Sequence, residues 1–187
     1  MTDGIASSPN GSDRINVFAL VSYISGPLGE FLDRLRKELV PGCVAQPHVT
    51  VMPPRPLLAP VEQAWRRLAH GVSGHPSFDL EATDIRVFSF TNVVYIDLGH
   101  GRERLVQIHD ALSREELAFE EPFPYHPHIT LAQEITAEDV AAVSDLARRR
   151  WAEFSHPRRF PVEKLTFVQN TVRNRWLDLG AIPLARP

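Results

Sequence analysis

The sequence predicts an α+β fold: two antiparallel sheets, flanked by helices, around a central cleft. Three observations predict it. Strand-like and helix-like apolar segments follow one another along the chain. A His-x-Thr pattern occurs twice, as "HVTV" from His48 and "HITL" from His128. The order of elements after each copy is the same. A helical segment follows, then a strand opening at Phe78 or Phe160, then a partner strand ending "YIDLG" (Tyr95 to Gly99) or "WLDLG" (Trp176 to Gly180). A shared order with matching anchors at both ends points to a duplicated unit. Residues 14–187 are therefore expected to form one bilobal domain of two pseudo-repeat lobes.

Each element has its own justification. "INVFALVSYI" (Ile15 to Ile24) is rich in β-branched and aromatic residues and reads as a strand. Leu28, Phe31, Leu32, Leu35 and Leu39 recur at helical spacing, so "GPLGEFLDRLRKELV" is an amphipathic helix that "PGC" stops. Val44 to Met52 is the first His-x-Thr strand, which the proline-rich stretch Pro53 to Pro60 is expected to end. A short helix is predicted from Val61 to His70. Strands are predicted from Phe78 to Phe88 and Val93 to Leu98, with a turn at Thr91 and Asn92. Gly101 to Ala118 reads as one long helix. His128 to Gln133 is the second His-x-Thr strand. Thr136 is the expected cap of a helix reaching Phe154, with Asp139 three residues on in a weak capping box. Phe160 to Gln169 and Arg175 to Leu179 are the last predicted strands.

Composition narrows the function. The chain has 187 residues, 43% apolar and 23% charged, with a net charge of −3. That is long enough to bury a core, and it argues against a protein that is basic overall and binds nucleic acid through its whole surface. Cys43 is the only cysteine, which excludes a disulfide framework and a cysteine-based zinc cluster. "MTDGIASSPNGSDR" lacks the apolar core of a secretory signal, and residues 1–13 are expected to be a disordered tail. No apolar run reaches membrane-spanning length. A cytoplasmic, monomeric protein with no membrane association is expected.

The repeated motif carries the chemistry. Side chains alternate faces along a strand. His48 and Thr50 share one face while Val49 and Val51 share the other, and His128 and Thr130 are set against Ile129 and Leu131 in the same way. A single copy fits a sheet with one solvated face. Two copies on related lobes can line a cleft with two imidazoles and two hydroxyls. Such a site suits a phosphodiester. One histidine takes a proton from water and the other donates one to the departing ribose oxygen. The threonine hydroxyls donate to the non-bridging phosphate oxygens. The arrangement requires no metal and no cofactor.

Two His-aliphatic-Thr-aliphatic motifs in a duplicated α+β chain resemble the 2H phosphoesterase superfamily, which includes the bacterial 2'-5' RNA ligase-like proteins and the plant and yeast cyclic phosphodiesterases. The resemblance runs from Ile15 to about Leu184. It implies a LigT-like bilobal fold and metal-independent chemistry at 2',3'-cyclic or 2'-5' phosphodiesters of ribonucleotides or RNA ends. Ring opening in such relatives commonly leaves a 2'-phosphate. His48, Thr50, His128 and Thr130 match the motif position by position. The same site run in reverse would be a 2'-5' ligase or RNA-end transferase. A non-catalytic nucleotide-binding module on this fold is the remaining alternative.

Other residues are weaker candidates. Arg55 could reach a phosphate from the cleft rim, and Tyr125 or Phe123 could stack on a base. Phe88, Phe90 and Trp176 invite the same idea. His126 and His128, completed by His48, have the spacing of a metal site, but the threonines have no place in that account. His70, His75, His100, His109 and His156 read as surface residues. The basic run at Arg148 to Arg150, with Arg158 and Arg159, reads as a solvated helix end more readily than as an RNA track.

Overall fold

The computed structural model describes residues 13–186. Residues 1–12 of the expected tail lie outside the described residues. In chain order the elements are β1 (Arg14–Tyr23), α1 (Gly26–Leu39), β2 (His48–Arg55), α2 (Val61–Ser73), β3 (Phe78–Phe88), β4 (Val93–Leu98), α3 (Arg102–Leu112), a short 3-10 turn (Glu115–Leu117), β5 (His128–Ala132), α4 (Val140–Glu153), β6 (Arg159–Val162), β7 (Lys164–Thr171) and β8 (Trp176–Pro183).

The strands form two four-stranded sheets, in the orders β2-β1-β7-β8 and β5-β4-β3-β6, and all their pairings are antiparallel. This is the α+β architecture expected, with one difference in how the chain builds it. The sequence units do not each fold as one sheet. The second sheet is a continuous stretch from β3 to β6, nested between the β1–β2 and β7–β8 pairs that make the first. The helices cross over as well. α1, which follows β1, packs on α4 and β5 of the second sheet. α3, which follows β4, packs on α2 and on β2 of the first. One apolar core fills the space between helices and sheets, with Leu20, Leu32, Leu68, Leu80, Ile96, Leu105, Ile108 and Ile129 almost wholly removed from water.

Several boundaries differ from those predicted. β2 starts at His48 and runs on through Pro53 and Pro54 to Arg55. Prolines cannot donate to a ladder, but β2 is an edge strand hydrogen-bonded only to β1, and an edge tolerates them. The single helix expected from Gly101 to Ala118 stops at Leu112. The chain then turns through Glu115, whose φ is 53°, so that Leu117 is buried and its carbonyl accepts a hydrogen bond from Arg55 Nη1 at 3.1 Å. A straight helix would carry Leu117 past that contact. Phe160 to Gln169 is two strands in different sheets, β6 on β3 and β7 on β1. The exposed pair Glu163 and Lys164 breaks the in-out alternation at the crossing. Thr136 caps a turn before α4, accepting the Asp139 N–H at 3.3 Å, and the helix itself begins one residue after Asp139. β8 runs four residues beyond the predicted Leu179, to Pro183. The glycines ending "YIDLG" and "WLDLG" have a packing reason. A Cβ on Gly180 would lie 2.6 Å from the Trp65 ring, and one on Gly99 would lie 2.9 Å from a Thr83 methyl.

Candidate active site

β2 and β5 are the inner edges of the two sheets, and they lie side by side where the sheets meet. The alternation of the two motifs is realised in both. Val49, Val51 and Ile129 are fully buried and Leu131 nearly so, while His48, Thr50, His128 and Thr130 are half-buried on the opposite face. Among the described residues, the two threonine hydroxyls carry no hydrogen bond.

The two imidazoles are held in the same way. His48 Nδ1 bonds the Gln46 carbonyl at 2.7 Å, and His128 Nδ1 bonds the His126 carbonyl at 2.6 Å. A carbonyl only accepts, so each Nδ1 carries a hydrogen. Nε2 is therefore the exchangeable position on both rings. Burial pushes both histidines below the ordinary imidazole value, against the opposing pull of the carbonyl bonds. Positive charge on Arg36 and on His128 lowers His48 further, while His126 lowers His128 and Asp97 raises it.

The surroundings of the two rings differ. In the first sheet Tyr23 lies directly across from His48, with the rings edge to face at 6.4 Å. Its hydroxyl donates to Asp178 at 2.6 Å, and burial together with that carboxylate raises the phenol far above its usual range. Tyr23 and Trp176 pack on Ala19, Val21 and Val168, a small apolar patch separate from the main core. The Trp176 ring is thus half-buried on this patch and lies outside the main core.

In the second sheet Asp97 lies across from His128, and Tyr95 lies across from Thr130. Phe88 stacks on Tyr95 at 4.0 Å, and both meet His128 edge-on at 5.0 and 5.2 Å. Asp97 is paired with Arg86 at 3.2 Å, with His126 Nε2 at 3.1 Å and, more loosely, with Arg102 at 3.8 Å. Arg102 also donates to His126 Nδ1 at 3.1 Å. Sequence reasoning passed over Asp97, Arg86 and Arg102. Nothing in the local sequence marks them, since only the strand register brings Asp97 beside His128.

Arg55 and Tyr125 are placed differently from the sequence expectation. The Arg55 side chain is 2% exposed and ion-pairs with Glu121, while its Nε donates to Pro53 O and its Nη1 to Leu117 O. All of its nitrogens are engaged within the protein, so it is not placed to hold a phosphate. Tyr125 lies with its ring flat on His109 at 3.9 Å, and its hydroxyl donates to the Thr50 carbonyl at 2.8 Å. It ties the segment before the second motif to the strand of the first. His109, expected at the surface, is buried and bonds Glu121 at 2.8 Å and Asp110 at 3.0 Å. Its neighbours Glu121 and Arg55 come from distant stretches, so helical spacing alone could not reveal the cluster.

Phe90 and Phe123 are exposed. The basic run is engaged within the molecule. Arg150 pairs with Glu38, Arg148 with Asp145 and Arg159 with Glu81, and the Arg158 guanidinium lies over the Trp151 ring. None of the helices among the described residues is long and apolar enough to cross a membrane.

The fold and the seam define a class: two-sheet α+β proteins that set one His-x-Thr strand from each sheet side by side. The sequence profile of the 2'-5' RNA ligase superfamily matches residues 25–174, and the chain belongs to that superfamily. No curated protein sequence matches it. Among solved structures, Escherichia coli LigT complexed with 3'-AMP is 19% identical with a TM-score of 0.63, covering 92% of this chain and 98% of its own. A protein of Thermus thermophilus is 18% identical with a TM-score of 0.60, covering 89% and 97%. Usb1 of Kluyveromyces marxianus with uridine monophosphate is 12% identical with a TM-score of 0.52, covering 88% and 97%. These likenesses are of fold.

Proposed function

We propose that the protein is a phosphodiesterase that opens 2',3'-cyclic phosphates, or cleaves 2'-5' phosphodiesters, of ribonucleotides or RNA ends and leaves a 2'-phosphate. The observation that carries this reading is the matched pair of imidazoles. Each is fixed through Nδ1 to a backbone carbonyl two residues upstream, so that Nε2 is the working nitrogen of both. Superfamily membership supports the reaction class, and the nucleotide complexes of LigT and Usb1 support the ligand class.

One Nε2 takes a proton from water as the water oxygen bonds to phosphorus. The other Nε2–H gives its proton to the departing ribose oxygen as that phosphorus–oxygen bond breaks. Mutual repulsion disfavours two imidazolium ions and so favours the mixed state that this chemistry needs. Thr50 and Thr130 donate to the non-bridging oxygens, which gain charge in the transition state. The reaction needs an acid and a base, and the two histidines supply both without a metal ion.

The test is phosphorus NMR of the protein with nucleoside 2',3'-cyclic phosphates in EDTA, with His128→Ala as control. A 2'-monophosphate peak from the wild type alone is the expected result. Equal turnover by His128→Ala would overturn the paired mechanism.

A further inference from the structure

We propose that Arg86 and Arg102, beside His128 on the second sheet and braced by Asp97 and His126, form a subsite for a second phosphate. The preferred ligand is then a ribonucleotide or RNA end whose reacting nucleoside also carries a 5'-phosphate. This proposal rests on the phosphodiesterase reading above and names its substrate class more closely.

Register places the cluster beside the second motif. Arg86 lies across from Tyr95, and Tyr95 across from Thr130, so the three share one row on one face of the sheet. Asp97 and His128 form the next row on that face. Arg102 enters from the start of α3 and reaches His126, whose ring centroid is 6.2 Å from that of His128.

The charge count then favours an anion. Two guanidinium groups face the single carboxylate of Asp97, which leaves one positive charge over. Asp97 is 12% exposed and fixes both arginines from behind. Arg86 spends only Nε on it and is 58% exposed, so its terminal N–H groups remain for a ligand. A guanidinium held in this way presents the planar fork that matches a phosphate.

The first sheet offers a different environment: its nearby cation, Arg36, is buried and turned onto the Ala45 and Gln46 carbonyls. Across from His48 stands a phenol hydrogen-bonded to the Asp178 carboxylate. A second phosphate is drawn to the side of His128 and repelled from the side of Tyr23 and Asp178. Two nearly matched histidines thereby acquire a preferred direction for the substrate.

The experiment compares kcat/KM for adenosine 2',3'-cyclic phosphate with and without a 5'-phosphate, in wild type and in Arg86→Gln. A preference for the 5'-phosphorylated substrate of about tenfold or more, the scale of a charge-assisted contact of about 1.4 kcal/mol, is expected in the wild type. That ratio should collapse towards one in Arg86→Gln. A wild-type ratio near one, or a ratio unchanged by Arg86→Gln, would overturn the subsite.

If neither substrate turns over, the phosphodiesterase reading fails, and calorimetric titration with pyrophosphate and with inorganic phosphate decides the subsite separately. Tighter pyrophosphate binding that Arg86→Gln abolishes would support it. Equal affinities, or a difference that Arg86→Gln leaves in place, would overturn it.

Discussion

At the scale of single residues, the two histidines make the strongest predictions. His48→Ala and His128→Ala should each lower kcat by about 100- to 10,000-fold, the range of one acid or base role, and a coupled assay on a cyclic nucleotide checks this. Both rings sit below the ordinary imidazole value of 6.5 through burial. The kcat/KM profile should therefore be bell-shaped with its optimum on the acid side of that value, since the acid partner is mostly deprotonated above it. Stability follows the same sign. The unfolded chain binds these protons more readily, so the stability is fully present above the unfolded value and is lost as pH falls through the lower folded values. The melting temperature should drop on acidification from about pH 7 to 5, and His48→Gln with His128→Gln together should flatten that slope. His48, Thr50, His128 and Thr130 were legible because a two-residue period fixes faces locally. Arg55 and Tyr125 were misplaced because their partners, Glu121, His109 and the Thr50 carbonyl, come from elsewhere in the chain.

At the scale of elements, the buried face of each motif strand aims the polar one. Ile129→Ala removes a fully buried side chain behind His128 and should cost about 2–5 kcal/mol in chemical denaturation. A shift of one residue in β5 would turn His128 inward and Ile129 outward, so the same apolar contacts also hold the register. The legible elements were those with unbroken periodicity. β3 and β4 run from Phe78 to Phe88 and from Val93 to Leu98, as the alternation and the turn at Asn92 predicted. The misread ends were decided by tertiary contacts. Leu117 turns back to meet Arg55, and β2 keeps its prolines because nothing pairs on its outer side. The Tyr125 hydroxyl on the Thr50 carbonyl links the two motif segments directly. Tyr125→Phe should lower kcat more than it raises KM, and the nitrogen chemical shifts of His48 and His128 should move with it.

At the scale of the whole molecule, the sequence conveyed a repeated order of elements but not how they are shared out. Order along the chain is local information, whereas the choice of sheet for each hairpin depends on which faces remain uncovered. The β7–β8 hairpin returns to β1, and α1 and α3 each leave their own neighbours to cover the opposite sheet. The seam between β2 and β5 is thus enclosed by elements from both ends of the chain. The exchange makes the protein a mechanical interlock. A fragment spanning residues 76–163 would own every strand of the second sheet, yet it would lack α1 over that sheet and leave α3 with no seat. It should show poor amide dispersion by NMR when expressed alone. The intact chain should melt in a single calorimetric transition, because neither sheet can be lost without uncovering the other.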